Sequence, residues 1–494
     1  MSKFSDFNDV HCLYGLAELR EQLTNPKHMI QEVVPLAKSG KGLRAKVPEK
    51  DISRALLDYF QGRIIAFEQD LFLYKQGYWN LLNFSERNRI KVLIGALAPD
   101  YGIRDIEAAF KYFVTHCPTP PPGVNMFQPT PFMANFENGT LRINRVAGKY
   151  VAEFGPHSME DYLTSKLPFD YLAPGTGGRN AAFDEMLGRV WQGDEDIAGK
   201  IRLYKQVLGA CLCPMFPIIV LFVGPPGTGK STLLKVMRRM VSPENCSSVD
   251  PADFHGFLME SMIGKLLNVN TDIDLTNPMR DAMVKKIIDR VPIQINRKHE
   301  KAVFGYLPAV HAFAANNLPK TLDGENRAYG RRMIIIRTDK FQPSALHDQE
   351  FDLWVWEQGP GGIVSAAIEG LYDLLENQGH YHRPESSAEH VKAMQDRNDP
   401  IAMFLNDVAS GAVEDPEQGK SGYVIRLDPE AKMPKKVLWK AFETWKKDED
   451  RTAREVGRSQ FYERFRAKGF TECTLNGTDH FRGIHSISKS DSNF

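Results

Sequence analysis

The spacing of apolar residues changes along the chain, and one segment is apolar throughout. Ile218 to Val223 reads IIVLFV, which predicts a strand buried on both faces of a parallel sheet. After a glycine-rich turn, Leu233, Met237 and Met240 recur at helical spacing and give the next segment one apolar face. A buried strand, a turn and an amphipathic helix in this order predict an α/β domain, a parallel sheet flanked by helices, over residues 211–385.

The chain before this strand shows shorter patterns. Helical periodicity recurs in Ile52 to Phe60 and in Arg87 to Leu97, and a proline-rich break follows at Cys117 to Pro131. These patterns indicate no particular chemistry. We therefore expect residues 1–125 to form an N-terminal domain of unknown role.

Residues 126–210 are predicted to form a mainly helical region. Asn138-Gly139 lies between two short apolar runs and indicates a β-hairpin near the start of this region. Ala181 to Cys211 follows a loop and has the spacing of a helical stretch.

The last hundred residues carry the pattern of a separate domain at 396–485. Pro434 opens a predicted helix, and Ser459 to Lys468 forms a second one. The segment from Thr471 to Arg482 contains Asn476-Gly477 between two short runs and predicts a hairpin. Two helices followed by a hairpin are typical of a winged-helix-like domain.

Charge and composition limit the classes of function. The chain has 62 Lys and Arg residues and 62 Asp and Glu residues, so any nucleic-acid contact must come from a local basic patch. It has no apolar run of the roughly 18 residues that a membrane span needs, and its first residues lack a signal-peptide core. We expect a cytoplasmic protein with no membrane partner, whose polar residues 486–494 form a disordered tail. The six cysteines form no CxxC pair, which argues against a zinc ribbon and against a disulfide framework.

The glycine-rich turn has the sequence GPPGTGKS, which fits the phosphate-binding pattern GxxxxGK[ST]. Backbone amides of such a loop surround the phosphates of ATP, Lys230 neutralises the β- and γ-phosphate oxygens, and Ser231 ligates Mg²⁺. The plainer alternative is a glycine-rich turn that binds no nucleotide. The predicted nucleotide-binding residues are Gly224, Pro225, Pro226, Gly227, Thr228, Gly229, Lys230, Ser231 and Thr232.

An acidic strand is expected after this loop, and Lys265 to Asp274 is the candidate. Asp272 and Asp274 are two residues apart, so in a strand both carboxylates would face the same side. Asp272 would hold Mg²⁺ while the other carboxylate polarises the attacking water. Asn270 or Thr271 could instead be the functional end of the strand, and the two aspartates could simply cap a surface loop.

Three further motifs resemble those of superfamily 3 helicases, in particular the phage, plasmid and large-DNA-virus primase-helicase group. The basic run Asn296-Arg297-Lys298-His299 resembles the DNA-binding hairpin of papillomavirus-type members, and the core as a whole resembles poxvirus-like and papillomavirus-like helicase cores. The apolar strand that ends in Asn316 is similar to the family's sensor strand, whose terminal Asn contacts the γ-phosphate. Arg331 and Arg332 stand where the family has its arginine finger, and Arg332, next to a strand, is the first choice.

A weaker resemblance extends over residues 130–485. The segments 157–171 and 191–209 resemble the helical segment that precedes the core of phage primase-helicases, and 433–445 resembles their tail domain. The first 125 residues depart from the longer family members, because they contain neither a primase carboxylate cluster nor a zinc ribbon.

The resemblance implies an ATP-dependent replicative DNA helicase of a phage or mobile element, with an AAA+-like P-loop core. Such a protein would act in the host cytoplasm as a homo-oligomeric ring, typically a hexamer, that translocates on single-stranded DNA at a fork or origin. Host or phage replication proteins are candidate partners. A finger supplied in trans requires a neighbouring subunit, so residues 126–210 would form the collar that holds the ring together. The implied catalytic residues are Lys230, Asp272, Asp274, Asn316, Arg331 and Arg332, and the implied DNA contacts are Arg297, Lys298 and His299.

Each of these assignments has a plainer interpretation. The basic run could be a solvated turn, Asn316 could stabilise a strand end, and the two arginines could form ordinary ion pairs. His311, between apolar residues, is interpreted as a core histidine. The function has rivals as well: an origin-binding replication initiator whose ATPase is a switch, or a DNA translocase or nucleic-acid-triggered defence ATPase.

Overall fold

The structure is a computed structural model that describes residues 47–128, 130–273, 281–298, 300–308, 310–316, 333–339, 350–385, 400–416, 423–448 and 456–488. Some residues of the predicted site lie outside these ranges: Asp274, His299, Arg331 and Arg332.

The helices of the described ranges are α1 (Glu49–Phe60), α2 (Phe84–Leu97), α3 (Ile103–His116), α4 (Ala181–Val190), α5 (Ile197–Leu212), α6 (Lys230–Val241), α7 (Asp281–Ile288), α8 (Phe351–Glu357), α9 (Pro360–Glu376), α10 (Pro400–Ser410), α11 (Lys435–Asp448) and α12 (Arg458–Ala467). The strands are β1 (Ile64–Phe67), β2 (Asp70–Lys75), β3 (Tyr78–Leu81), β4 (Met133–Phe136), β5 (Gly139–Val146), β6 (Lys149–Gly155), β7 (Ile218–Val223), β8 (Cys246–Ser247), β9 (Leu267–Asn270), β10 (Ile293–Ile295), β11 (Val303–Gly305), β12 (Val310–Ala315), β13 (Met333–Arg337), β14 (Tyr423–Pro434), β15 (Glu472–Leu475) and β16 (Thr478–Ser488).

A five-stranded parallel sheet has the strand order β13-β7-β12-β9-β8. β7 occupies its predicted position, and all of its side chains are buried. Since β7 pairs with β12 on one side and β13 on the other, its backbone groups are satisfied within the sheet. The prediction of an α/β core built on a parallel sheet is confirmed.

The side chains of β7 alternate between two cores on opposite faces of the sheet. Alternate residues from Ile218 to Phe222 belong to one core, which includes α4, α5, α6 and α9 and which we call the helical-side core. Alternate residues from Ile219 to Val223 belong to the other, which we call the hairpin-side core because it includes β10 and β11. Each large apolar side chain removed from water in this way stabilises the fold by about 1.5–3 kcal/mol.

The sequence predicted a mainly helical region at 126–210, and this prediction is wrong. The first part of the region folds into the antiparallel sheet β4-β5-β6, and the predicted hairpin at Asn138-Gly139 is its β4–β5 turn. Leu141 and Ile143 are buried at a spacing of two, the period of a strand, which explains the difference. The stretch predicted from 181 to 211 is divided into α4 and α5. Sheet and helices share the helical-side core with β7.

The N-terminal domain contains the predicted helices, as α1 and α2, and a three-stranded sheet β1-β2-β3 that was not predicted. Its strands β1 and β2 are buried on both faces. Ile64 and Leu71 pack with residues of α1, α2 and α3, whereas Ile65 and Phe72 belong to the hairpin-side core. We call residues 47–117 the N-terminal module.

Residues 400–488 have a hydrophobic core of their own. The predicted helices and hairpin form α11, α12 and the β15–β16 pair, and Asn476 and Gly477 have the positive φ, 50° and 73°, that suits a tight hairpin turn. β14 was not predicted, and it pairs with β16 and extends that strand. Residues 486–488 are therefore a strand and not the start of a disordered tail, and residues 489–494 lie outside the described ranges.

None of the helices in the described ranges has the length and apolar character that a bilayer span requires. The described cysteines are free thiols, and burial raises the pKa of Cys117, Cys213 and Cys246 to about 12. These thiols are therefore protonated at neutral pH and unreactive as nucleophiles.

His311 is the buried histidine that the sequence predicted in the core. It lies in β12 between β7 and β9, its Nδ1 is 3.3 Å from Nδ2 of Asn268, and its ring packs edge-on against Phe254. Its Nε2 has no hydrogen-bond partner among the described residues. Burial lowers the pKa of His311 from 6.5 to about 4, although a hydrogen bond with the backbone of Pro308 opposes this shift.

This pKa shift predicts a loss of stability in acid. The unfolded chain takes up a proton on His311 below about pH 6.5, whereas the folded chain does so only near pH 4, so the contribution is complete above 6.5 and is lost as the pH falls toward 4. Between about pH 7.5 and about pH 5 the wild type should lose about 2 kcal/mol more stability than His311→Gln, measured by urea unfolding. Parallel pH curves for the two proteins would contradict the assignment.

Candidate functional site

The glycine-rich loop, residues 224–231, begins where β7 leaves the sheet. The amide of Gly224 donates to the carbonyl of Ala315 (3.3 Å), and the amide of Thr338 donates to the carbonyl of Val223 (2.9 Å). A Cβ atom on Gly224 would lie 2.0 Å from the carbonyl oxygen of Thr338. The start of the loop is thus held between the ends of β12 and β13, at a distance that only glycine permits.

The loop turns into α6 through residues with left-handed backbone conformations. Gly227 and Gly229 have φ of 78° and 89°, and α6 begins at the next residue, Lys230. The hydroxyl of Thr228 is 2.8 Å from the hydroxyl of Thr338 and donates to the carbonyl of Pro225 (2.9 Å), which fixes the loop to the end of β13. The first amides of a helix have no partner within it and carry partial positive charge, so this arrangement can bind an anion.

Lys230 is buried beneath this loop. Its Nζ donates to the carbonyls of Gly224 (2.6 Å) and Pro225 (2.7 Å). Burial lowers the pKa of Lys230, and the nearby carboxylate of Asp272 opposes this shift. Ser231, one residue further along α6, is exposed, so its hydroxyl can reach a ligand outside the loop.

Asp272 follows β9, the strand next to β12. It was predicted to lie within a strand, but β9 ends at Asn270, whose Oδ1 accepts a hydrogen bond from the amide of Asp272 (3.3 Å). The amide of Ile273 still donates to the carbonyl of Ala314 (3.1 Å), which keeps this segment beside β12. The exposed carboxylate of Asp272 therefore lies near Lys230, although the strand-register argument for it was wrong.

Asn316 is the first residue after β12 and is exposed. Because β12 lies between β7 and β9, Asn316 stands between the ends of the strands that lead to the loop and to Asp272. The carboxyl ends of parallel strands are the usual ligand-binding edge of an α/β sheet. Among the described ranges, no group of three His, Cys, Asp or Glu side chains could hold a metal on its own, so a cation here would need ligand oxygens as well as Ser231 and Asp272.

The basic run lies in a hairpin, as expected, between β10 and β11. One face of this hairpin is buried and contributes Ile293, Ile295 and Val303 to the hairpin-side core. The other face is exposed and carries Gln294 and Phe304, which are paired across the two strands. We call residues 293–305 the core hairpin.

Arg297 was predicted to bind DNA, but the structure places it elsewhere. Its side chain is buried, pairs with Asp70 (2.6 Å) and Glu300, and lies 5.1 Å from the ring centre of Phe127. A guanidinium with these partners is not available to phosphate. Lys298, the next residue, is exposed and its backbone amide donates to Oε2 of Glu260 (3.0 Å). Of the described basic residues in the predicted run, Lys298 alone faces solvent.

The basic C-terminal helix, α11, is also partly neutralised. Lys435 pairs with Glu472 (2.6 Å) and its ammonium lies 5.4 Å from the ring centre of Phe481. Lys446 and Lys447, in the last turn of α11, complement the negative end of the helix dipole.

Sequence reasoning did not identify Thr338 and Asp70. Thr338 is buried, its amide donates to the carbonyl of Val223, and its hydroxyl contacts that of Thr228. In the sequence it is recognisable only as a polar residue after an apolar strand. Asp70 is 227 residues from Arg297 in the chain, so no local pattern could relate them.

One protein-family model matches part of the chain, and several solved structures are similar to it. A model of a protein family of unknown function, DUF5906, matches residues 222–332, the segment that contains all of the predicted catalytic residues. No curated protein matches the chain. Two solved structures of the apo NrS-1 C-terminal region are similar to it. The A form has a TM-score of 0.45 and 13% identity and covers 87% of this chain and 98% of that one. The second has a TM-score of 0.43 and 12% identity and covers 88% and 98%.

The close approach at Gly224 predicts a local effect of one methyl group. Gly224→Ala should lower stability by about 1–3 kcal/mol, because the added Cβ displaces either the loop or the end of β13. Gly188→Ala is the matched control, since its Cβ would meet no atom within 4 Å and it lies in a helix, α4. The control should be neutral or slightly stabilising in a urea titration. Equal stability of the two variants would contradict the described contact.

Proposed function

We propose that this protein is an ATP-hydrolysing motor of the replication type, a DNA helicase that acts on single-stranded DNA. The observation that carries the proposal is the gathering of Lys230, Asp272 and Asn316 at one edge of the parallel sheet, around a glycine-rich loop at the start of a helix. Such a set of groups can hold a phosphate chain, a cation and an attacking water together.

Each residue has a distinct role in this proposal. The loop amides and Lys230 bind the β- and γ-phosphates, and Lys230 exchanges the two carbonyls that it contacts for phosphate oxygens. Ser231 and Asp272 hold Mg²⁺ together with phosphate oxygens, and this cation would neutralise charge that develops on the phosphates. Asn316 orients the attacking water or the γ-phosphate. Asp274 remains a candidate for the carboxylate that polarises this water.

Hydrolysis at subunit interfaces completes the proposal. Arg331 or Arg332 would reach the γ-phosphate that a neighbouring subunit binds. Head-to-tail contacts of this kind form a ring when the rotation between subunits closes, and the proposed ring is a hexamer. Residues 126–210 would contribute to contacts between subunits. Residues 400–488, which we call the C-terminal unit, would serve as a winged-helix-like domain for duplex DNA or a replication partner.

DNA would be bound by the tip of the core hairpin. Lys298 and Lys301 are exposed and His299 lies between them in the sequence, so the tip offers positive charge to phosphates. The burial of Arg297 reduces this charge, which favours in part the rival function, an initiator whose ATPase is only a switch. Strand-displacement assays on forked DNA separate the two, because a switch binds DNA without unwinding it.

The first prediction from this proposal concerns hydrolysis. Lys230→Ala should reduce ATP turnover about a hundredfold or more, and Asp272→Asn should keep nucleotide binding but lose most turnover, since both act on charge that develops in the transition state. Lys235→Ala is the control: Lys235 lies on the same helix but pairs with Asp352 (3.8 Å). A folded Lys230→Ala protein with normal turnover would refute the proposed function.

The second prediction concerns DNA. Lys298→Ala with His299→Ala should keep basal hydrolysis, lose stimulation by single-stranded DNA and unwinding, and show a shallower salt dependence of binding. Lys446→Ala with Lys447→Ala serves as the control for general loss of positive charge. If the control loses DNA binding while the hairpin variant keeps it, the DNA path follows the C-terminal unit instead.

A further inference from the structure

The buried arginine of the core hairpin belongs to a network that joins the hairpin to the N-terminal module. Arg297 pairs with Asp70 (2.6 Å), and Arg87 pairs with both Asp70 (3.3 Å) and Glu300 (2.9 Å). Arg297 also contacts Glu300 and, at 3.9 Å, Glu260, so each of the four charges has at least two neighbours of opposite sign. Two of these residues come from the module and two from the tip of the hairpin.

We propose that the N-terminal module positions the core hairpin for nucleic acid, and that Asp70 is the positioning residue. This inference rests on the proposed function, because it assigns a role to the hairpin in binding single-stranded DNA. Asp70 itself does not touch the nucleic acid. It acts through Arg297, whose chain neighbour Lys298 is an exposed basic group at the tip.

The position of Asp70 is fixed by the module's own fold. It is the first residue of β2, it pairs in register with Phe67 of β1, and its side chain is only 6% exposed. Two residues further along β2, Phe72 is buried in the hairpin-side core together with Ile295 of the hairpin. The module therefore supports the hairpin through both an apolar contact surface and a buried charge.

A second support holds the other strand of the hairpin. The side-chain amide of Asn125 donates to the carbonyl of Phe304 in β11 (2.6 Å), and Phe127 lies beneath the guanidinium of Arg297. β10 is held by the packing of Ile293 and Ile295, so both strands are fixed. The tip between them is held by the charges around Arg297 and by the hydrogen bond from Lys298 to Glu260. The ion network reaches this tip at Arg297 and Glu300, so it restricts the segment that the supports on the strands leave free.

Removing one partner of a buried ion pair costs more than the pair contributes to stability, and this makes Asp70 decisive for the position of the hairpin tip. A buried guanidinium that loses its most buried carboxylate keeps only partners nearer to solvent, here Glu300 and Glu260. Without Asp70, Arg297 would move toward water and take Lys298 with it. The tip would then occupy its binding position for only a fraction of the time, and apparent affinity falls in proportion to that fraction.

The test uses the full chain and a single-stranded oligothymidylate. In Asp70→Asn, the oligothymidylate concentration that half-stimulates ATP hydrolysis should rise about tenfold, while basal and maximal rates stay within about twofold. Asp70→Glu, which keeps the carboxylate, should restore the concentration to within about threefold of the wild type. Glu107→Gln is the matched control, because it removes a carboxylate that pairs with Lys91 (2.7 Å) elsewhere in the module.

Hydrogen exchange provides an arm that needs neither ATP nor DNA. Amides of residues 293–305 should exchange faster in Asp70→Asn than in Glu107→Gln, while β7 keeps its protection. Arg297→Met, which removes the other partner, should have the same effect, and the double variant should be no worse than the poorer single one because the two residues act through one interaction. If Asp70→Asn disrupts the module as a whole, Arg297→Met carries the test.

The outcomes distinguish this inference from the proposed function. Unchanged hairpin exchange and an unchanged half-stimulating concentration in Asp70→Asn would overturn the positioning role while leaving the helicase proposal intact. A wild-type protein that shows no DNA-stimulated hydrolysis would refute the proposed function, and faster hairpin exchange in Asp70→Asn would then show a structural link that serves another ligand, which also overturns the inference as stated.

Discussion

The complete burial of β7 is the constraint on which the rest of the core depends. A strand whose side chains are all removed from water needs hydrogen-bonding partners on both edges and apolar layers on both faces. β12 and β13 supply the edges, and the helical-side and hairpin-side cores supply the faces. The loop that follows Val223 must therefore emerge between two strand ends, and this crowding makes glycine necessary at position 224. The geometry of the candidate site is thus a consequence of packing around one strand.

Local patterns were sufficient for the elements whose signals lie within a few residues. The run from Ile218 to Val223 and the hairpin turns at Asn138-Gly139 and Asn476-Gly477 were predicted because apolar periodicity and turn chemistry act over short distances. The sheet of the N-terminal module was not predicted. β1 and β2 are short and buried on both faces, so they lack the alternation that marks a half-buried strand.

The candidate site shows the same division between local and distant information. The loop around Lys230 and the strand end at Asn316 were identified from the sequence, since their residue types and spacing are continuous in the chain. Arg297 was wrongly assigned to DNA binding, because a basic run has the sequence of a solvated, anion-binding turn whether or not a distant residue supplies a carboxylate partner. The partner, Asp70, comes from a different element, and only the tertiary structure brings the charges together.

The hairpin-side core links the two ends of the proposed mechanism. Val223, the last residue before the glycine-rich loop, and Ile295, at the base of the hairpin tip, are buried in this one core, which also receives Phe72 from the N-terminal module. Close-packed interiors respond to a displacement by shifting side chains together, because they contain little free volume. A change in the loop that moves Val223 is therefore resisted by the hairpin and the module at once. If the protein is the motor that we propose, the hairpin cannot move on its own. A movement large enough to shift DNA must either move the N-terminal module as well or separate the ion pairs around Arg297.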